Sequence, residues 1–363
     1  MLADDLTGAL DSAAAFATPE QPVAVSWHGL PDLVGAVACD SASRELSAER
    51  ARASVSAIAP ALWQAFPGLA FKKIDSLLRG QEAAEITAIL AILRPAHCIV
   101  APAFPAQGRI ARGGRQGVIA AEGWRPVPCD LVAELRGDGL DVVQAAPGAA
   151  IPPGVSFWDA ETDDDLDAVV AAGRGQRNTL WVGSAGLAAA LARAAGFARQ
   201  APTALPRPIL GLVGSEHGAM RAQLARLGSL HHLLPMMGGE DAVAAGLARD
   251  EIAFVSIDLA AGMPRAEANR LIEARFAELL TRLDRPGTLF ASGGETLRGL
   301  CDALGAERLD VTGEIVPGVP RSSMRGGRWD GITVISKSGA FGGPDLLKQL
   351  AAGDPAGLAG AAA

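Results

Sequence analysis

The sequence predicts an α/β protein of two domains, each built on a mainly parallel sheet. Three observations carry this prediction. Short apolar runs alternate with helical patterns along the chain, and several end in a glycine- or serine-rich turn that opens the next helix. A proline-rich stretch, Ala201-Pro202-Thr203-Ala204-Leu205-Pro206-Arg207-Pro208, divides the chain near its middle. At 363 residues the chain exceeds one ordinary core. The expected domains are 1–200 and 209–363, with a linker at 201–208.

Composition narrows the function. Hydrophobic residues at 49% and charged residues at 20% describe a globular protein, neither disordered nor fibrous. A net charge of −8 weighs against a broad nucleic-acid surface or an anionic membrane. It leaves room for a small anion held by backbone N–H groups or a few cations. No apolar run reaches the roughly 18 residues of a membrane span. The start, Met-Leu-Ala-Asp-Asp, lacks the basic and apolar regions of an export signal. Cys39, Cys98, Cys129 and Cys301 lie far apart, with no histidine at ligand spacing, and are expected as reduced thiols of a cytoplasmic protein without structural zinc.

In chain order, Leu2-Ala3 is the end of a strand, so short that part of it is expected to lie upstream. Asp4-Asp5-Leu6-Thr7-Gly8 then enters a helix. Asp5 or Thr7 can serve as an N-cap, yet two carboxylates beside Thr-Gly at a strand's carboxyl end also suit a polar ligand or metal. Strands are expected at 23–27 and 33–38, the second leaving through the polar cluster Asp40-Ser41-Ala42-Ser43-Arg44. A helix covers 48–64. The strand from Ala70 runs into Lys73, Asp75, Ser76 and Arg79, which form either a solvated turn or a site where Arg grips a carboxylate and Asp accepts from hydroxyls. Helix 82–93 and strand 97–101 follow, then a rigid loop, Pro102–Arg109, that ends in another cation. Gly113, Gly114 and Gly117 permit a hairpin. Strand 155–160 precedes the acidic cap Thr162–Asp165, and a strand–glycine–helix unit spans 180–187.

The second half repeats one device three times. Strand 209–213 ends in Gly214-Ser215-Glu216-His217-Gly218, ahead of a helix over 220–227. Strand 252–257 and helix 265–282 come next. Strand 288–291 ends in Ser292-Gly293-Gly294-Glu295-Thr296 ahead of a helix over 296–304, and strand 332–335 ends in Ser336–Gly343. Turns after parallel strands emerge on one edge, so the three can converge on one anion, with Lys337 as their fixed positive charge. None is a Walker A loop or a Gly-x-Gly-x-x-Gly fingerprint.

Read together, Ala3-Asp4-Asp5-Leu6-Thr7-Gly8-Ala9, Lys72-Lys73-Ile74-Asp75-Ser76-x-Leu78-Arg79-Gly80 and Ala101-Pro102-Ala103-Phe104-Pro105-x-x-Gly108-Arg109 resemble the four-carbon acid sugar kinase family. So do Val182–Leu187, Ser292–Thr296, Val316–Pro320 and Lys337-Ser338-Gly339-x-Phe341-Gly342. The resemblance spans nearly the whole chain. It implies two Rossmann-like domains with the active site in the cleft between them, and ATP-dependent phosphorylation of the terminal hydroxyl of threonate, erythronate or a 3-oxo form. The N-terminal domain would bind the acid and the C-terminal domain the nucleotide. Ser215, Gly293, Gly294, Glu295, Thr296, Lys337, Gly339 and Gly342 are then the expected nucleotide contacts. Leu77 and His217 depart from the family pattern, each at a position that usually carries a hydroxyl.

Phosphoryl transfer asks mainly for positioning and charge neutralisation. Asp5 or Asp75 is expected to accept the hydroxyl proton. Arg79, Lys73 and Arg109 are expected to grip carboxylate and phosphate, and Asp4, Thr7 and Ser76 to orient the acid, with Mg²⁺ accompanying ATP. Two alternatives stand beside this reading: a non-catalytic sugar-acid or nucleotide sensor, and an aspartate-dependent phosphatase, although Asp4-Asp5 lacks the Asp-x-Asp-Gly-Thr pattern. Partners are expected to be small molecules, and a homodimer is the default assembly.

Overall fold

The structure is a computed structural model that describes residues 1–31, 35–198, 203–260 and 262–353. It divides into two compact units. The first comprises Met1–Ala17 and Val23–Ala198, the second Thr18–Pro22 and the chain from Arg199 onward.

In the first unit β1 (Leu2–Ala3), α1 (Leu6–Ala14), β2 (Val23–Ser26), β3 (Val37–Asp40), α2 (Ala48–Ala65), β4 (Ala70–Lys73), α3 (Glu82–Leu93) and β5 (His97–Ala101) come first. A hairpin sheet follows, made of β6 (Arg109–Arg112), β7 (Arg115–Ala120) and β8 (Gly123–Pro126). Then come α4 (Leu131–Gly137), β9 (Val142–Ala145), β10 (Gly154–Trp158), α5 (Asp163–Gly173), β11 (Thr179–Gly183) and α6 (Ala185–Ala194). The main strands lie in the order β2-β3-β1-β4-β11-β5-β10-β9, and every pairing is parallel. Strands covered on both faces must be apolar throughout, which is why Cys98–Ala101 and Leu180–Val182 are buried without alternation. Though only two residues long, β1 is hydrogen-bonded on both sides, Leu2 lying between Cys39 and Lys72. It therefore delivers Asp4 and Asp5 to the middle of the sheet's carboxyl edge.

The second unit contains β12 (Ile209–Val213), α7 (Gly218–Ala225), β13 (His231–Leu234), α8 (Glu240–Asp250), β14 (Ile252–Ile257), α9 (Arg265–Arg282), β15 (Thr288–Ser292) and α10 (Gly294–Leu304). It closes with β16 (Arg308–Glu314), β17 (Pro320–Arg325), β18 (Thr333–Lys337) and α11 (Leu346–Ala352). The parallel run β13-β14-β12-β15-β18 is extended by the antiparallel β17 and β16. Phe254 and Phe290 pack edge to face in its core, against Met220 of α7 and Leu347 of α11.

Several expected boundaries shift. The strand expected at 33–38 begins at Val37; Gly35 and Ala36 are exposed, and residues 33 and 34 lie outside the described residues, as do 201 and 202 of the expected linker. Helix α10 starts at Gly294 rather than 296, because Gly293 alone makes the turn at φ +104°. Lys337, expected in a turn, is the last residue of β18 and pairs with Ser292. At Thr162 the acidic cap forms a capping box with Asp165.

Candidate functional site

Four loops leave the carboxyl edge of the first unit's sheet, after β1, β3, β4 and β5. Asp4, almost fully buried, receives both arms of Arg44: Nε donates to Oδ2 at 2.7 Å and Nη2 to Oδ1 at 2.9 Å. Burial, the largest single influence, would raise this carboxyl, but the charges of Arg44, Lys72 and Lys73 and the Arg44 hydrogen bond together hold Asp4 below the ordinary carboxylate range. The third arm of Arg44 meets Asp5 Oδ2 at 2.7 Å. Asp5 is also the N-cap of α1, accepting from Gly8 N–H at 2.9 Å and from the Thr7 hydroxyl at 2.5 Å. Gly8 fits where no other residue would: a Cβ there would lie 2.5 Å from Asp5 Oδ1 and 3.0 Å from Lys73 Nζ.

The loop after β4 is held just as tightly. Asp75 accepts from Arg79 Nε at 2.5 Å and Nη2 at 2.9 Å. Burial again pushes the carboxyl up; the Arg79 hydrogen bond and the Arg44 charge bring it well below its usual range. Lys73 is buried and its ammonium donates to Ile74 O at 2.7 Å. Arg109 donates to Ser76 Oγ at 2.5 Å, while Gln116 of the hairpin sheet donates to Ser76 O at 2.8 Å, so β6 and β7 brace the loop. Leu78, and Ala42 in the loop after β3, adopt left-handed φ of +52° and +50°. Such backbone costs about 1–3 kcal/mol per residue and persists where surrounding contacts impose it. Of these charged groups Arg79 is the one turned outward, its side chain 54% exposed.

The structure thus gathers Asp4, Asp5, Thr7, Lys73, Asp75, Ser76, Arg79 and Arg109 around two arginine-locked carboxylate sets. Sequence reasoning passed over the clamp, Arg44, although its polar cluster was visible. In sequence Glu82 and Glu85 read only as part of the helix over 82–93. Both are buried: Glu85 pairs with Lys72 at 2.5 Å, and Glu82 accepts from Gly80 N–H at 2.9 Å. Burial, then the Asp4 charge, pushes the Glu82 carboxyl up to about 7.

In the second unit the three turns are adjacent, because Val213, Ser292 and Lys337 are register partners on β12, β15 and β18. Helix α10 has no side-chain cap, so the N–H groups of Gly294, Glu295 and Thr296 face its open end. The turns touch closely enough to demand glycine. A Cβ on Gly214 would meet Thr296 Oγ1 at 2.0 Å, and one on Gly339 would meet Ser215 Oγ at 1.8 Å. Gly342 takes φ +83°. One amide, Gln223 Nε2 of α7, donates to the carbonyls of Phe341, Gly342 and Gly343 at 3.1, 2.9 and 3.0 Å. His217, where a hydroxyl was expected, caps α7 instead: its Nδ1 accepts from Ala219 N–H at 3.2 Å. Glu295 is exposed and hydrogen-bonded by Asn269.

Lys337 is the anomaly of this unit. Its side chain is 1% exposed and its Nζ has no hydrogen-bond partner among the described residues. Burial alone pushes the ammonium down to about 7. The hydroxyls of Ser292 and Ser336 are likewise buried without partners. Beside the Gly214-Ser215 turn opens a cavity of about 400 Å³, lined by Arg221, Leu224, His231, Ser256, Asp258 and Ile272. Among the described residues no group of three or more His, Cys, Asp or Glu could hold a metal, and no helix is long and apolar enough to cross a membrane.

Known proteins share this organisation. A family model described as a sugar-binding N-terminal domain matches residues 1–134, and one described as a nucleotide-binding C-terminal domain matches 236–347. The D-threonate kinase of Cupriavidus necator is 34% identical over 96% of this chain and 95% of that protein. The D-erythronate kinase of Heliobacterium modesticaldum is 26% identical over 95% of this chain and 94% of its own. A solved Salmonella typhimurium LT2 structure, 20% identical, covers 96% of this chain and 97% of that one with a TM-score of 0.75, a likeness of fold. With both family models matched in order and relatives aligned end to end, the chain belongs to the four-carbon acid sugar kinase family.

Proposed function

We propose that the protein is an ATP-dependent kinase that phosphorylates the terminal C4 hydroxyl of a four-carbon sugar acid such as threonate, erythronate or a 3-oxo-tetronate. Residues 1–200 carry the acid and 209–363 the nucleotide, with 201–208 as the linker. The observation that carries this reading is Lys337. A buried ammonium without a counter-charge, beside two glycine turns and an uncapped helix, lacks only an anion, and phosphate is the anion those N–H groups suit.

Ser215, Gly293, Gly294, Thr296, Gly339 and Gly342 form the cradle for the phosphates, and Lys337 supplies its charge. Glu295 contributes its backbone N–H. The 400 Å³ cavity beside Ser215 has room for the nucleoside. In the first unit Arg79, braced by Asp75, meets the acid's carboxylate as a planar fork. Arg109 and Ser76 fix the loop that presents it, while Asp4, Asp5, Thr7 and Lys73 shape the pocket floor. Asp4, Asp5 and Asp75 are engaged by arginines, and among the described residues no cluster of acids, histidines or cysteines forms a metal cage. Mg²⁺ therefore fits as part of the MgATP substrate, carried on its phosphates. The free cysteines suit a cytoplasmic setting.

A thermal-shift panel of ADP, ATP, D-threonate and D-erythronate, followed by an ADP-release assay, tests the reading. Stabilisation by both ligand classes and acid-dependent ADP release are expected. Binding without turnover would make the protein a sensor, and no response to nucleotide would remove the kinase reading.

A further inference from the structure

A kinase needs a group to receive the proton of the attacking hydroxyl, and the three aspartates of the first unit are already committed. Both oxygens of Asp4 are taken by Arg44, and both oxygens of Asp75 by Arg79. Asp5 accepts from Gly8, Thr7 and Arg44. Each therefore keeps at least one oxygen on a guanidinium. Arg44 and Arg79 also hold Asp4 and Asp75 below the ordinary carboxylate range, which makes both weak bases.

Glu82 differs on each count. It is 2% exposed, with Oε1 on Gly80 N–H and Oε2 without a hydrogen-bond partner among the described residues. The nearby cations are engaged elsewhere: Arg44 with Asp4 and Asp5, Lys72 with Glu85, and Arg79 with Asp75. The titratable groups coupled to it are Asp4 from the β1 exit, Asp75 from the β4 exit and the Cys129 thiol ahead of α4. None of these supplies positive charge, so the carboxyl can change protonation near neutral pH.

Gly80 provides the approach. A Cβ at this glycine would lie 3.2 Å from Asp4 Oδ2 and 3.2 Å from Glu82 Oε1. Contacts that short crowd out a side chain, so a glycine lets the loop pass between the two carboxyls. Glu82 thereby stands beside Asp4, at the strand exits where the acid is read to bind.

Resting on the kinase reading, we propose that Glu82 is the catalytic base of the transfer. Its carboxylate takes the proton of the C4 hydroxyl as that oxygen bonds to the γ-phosphorus. The bond from the γ-phosphorus to the β–γ bridging oxygen breaks, ADP leaves with that electron pair, and the proton on Glu82 passes to solvent.

The test is Glu82→Gln, which keeps the volume and an oxygen to accept from Gly80. ADP release with D-threonate and with D-erythronate is followed from about pH 5.5 to 9. For the variant kcat falls about 10²- to 10³-fold, the scale of a lost general base, while KM for ATP moves less than about threefold. Wild-type kcat rises through an acid limb near pH 7, and the variant lacks that limb. Glu82→Asp restores part of the rate and the limb. An unchanged kcat with an unchanged limb in Glu82→Gln overturns the assignment. Should Glu82→Gln fail to fold, a wild-type kcat that stays flat between pH 6 and 8 overturns it equally. If the wild-type protein turns over neither acid, the kinase reading falls first and this assignment with it.

Discussion

Replacing Lys337 by Met should make the protein more stable and less able to hold nucleotide. The ammonium is buried without a hydrogen-bond partner, and burial moves it from 10.5 in the open chain to about 7 in the fold. Between those values the unfolded chain binds the extra proton, so stability rises with pH across the window and levels off above it. Each step of one in pH across that window is worth about 1.4 kcal/mol, less the share of the folded protein already protonated at pH 7. The penalty at neutral pH is thus on the order of 4 kcal/mol, an upper bound if water reaches the site. Methionine fills much the same space without the charge. Urea unfolding at pH 7 and again near pH 10.5 would measure it: the variant should gain most at pH 7 and little at the higher pH. ADP affinity by calorimetry should fall at least about tenfold, as for loss of a charged hydrogen bond. A variant no more stable at pH 7 that still binds ADP normally would refute the reasoning on both counts.

Other expectations follow from the same geometry. Asp75→Asn and Arg79→Ala should each lower phosphorylation of a C4 acid by about 10²-fold or more in the ADP-release assay; near wild-type turnover in both would remove this loop from the site. Gly339→Ala places a Cβ 1.8 Å from Ser215 Oγ. It should raise KM for ATP at least about tenfold while leaving KM for the acid in place, and adding Ser215→Gly should recover much of the loss. No recovery would mean the two turns are not coupled through that contact.

The architecture was legible wherever a buried strand ran into a glycine turn, because both signals are local. Ile209–Val213 and Thr288–Ser292 are examples, and the lining-up of their turns followed from parallel pairing alone. The antiparallel pair β16–β17 went unread. Asp310 lies buried between Arg308 and Arg325 and breaks the apolar pattern that a strand would show. The site was half legible. Asp4, Asp75 and Arg79 announce themselves as charges at strand ends. Glu82 and Glu85 do not, because acids in a first helical turn are ordinary helix signals, and only the fold shows that this turn is inside the protein. Arg44 stands forty positions from Asp4 in sequence, so no spacing argument joins them.

The grip of Gln223 on three successive carbonyls has a consequence for how this unit breathes. Helix α7 and the Phe341–Gly343 turn share one side chain, so the turn cannot lift without costing the helix its anchor. Local opening in proteins proceeds in cooperative blocks. Residues 218–225 and 341–343 therefore form one such block, and their amides should exchange with solvent at a common rate that slows in both segments when ADP binds.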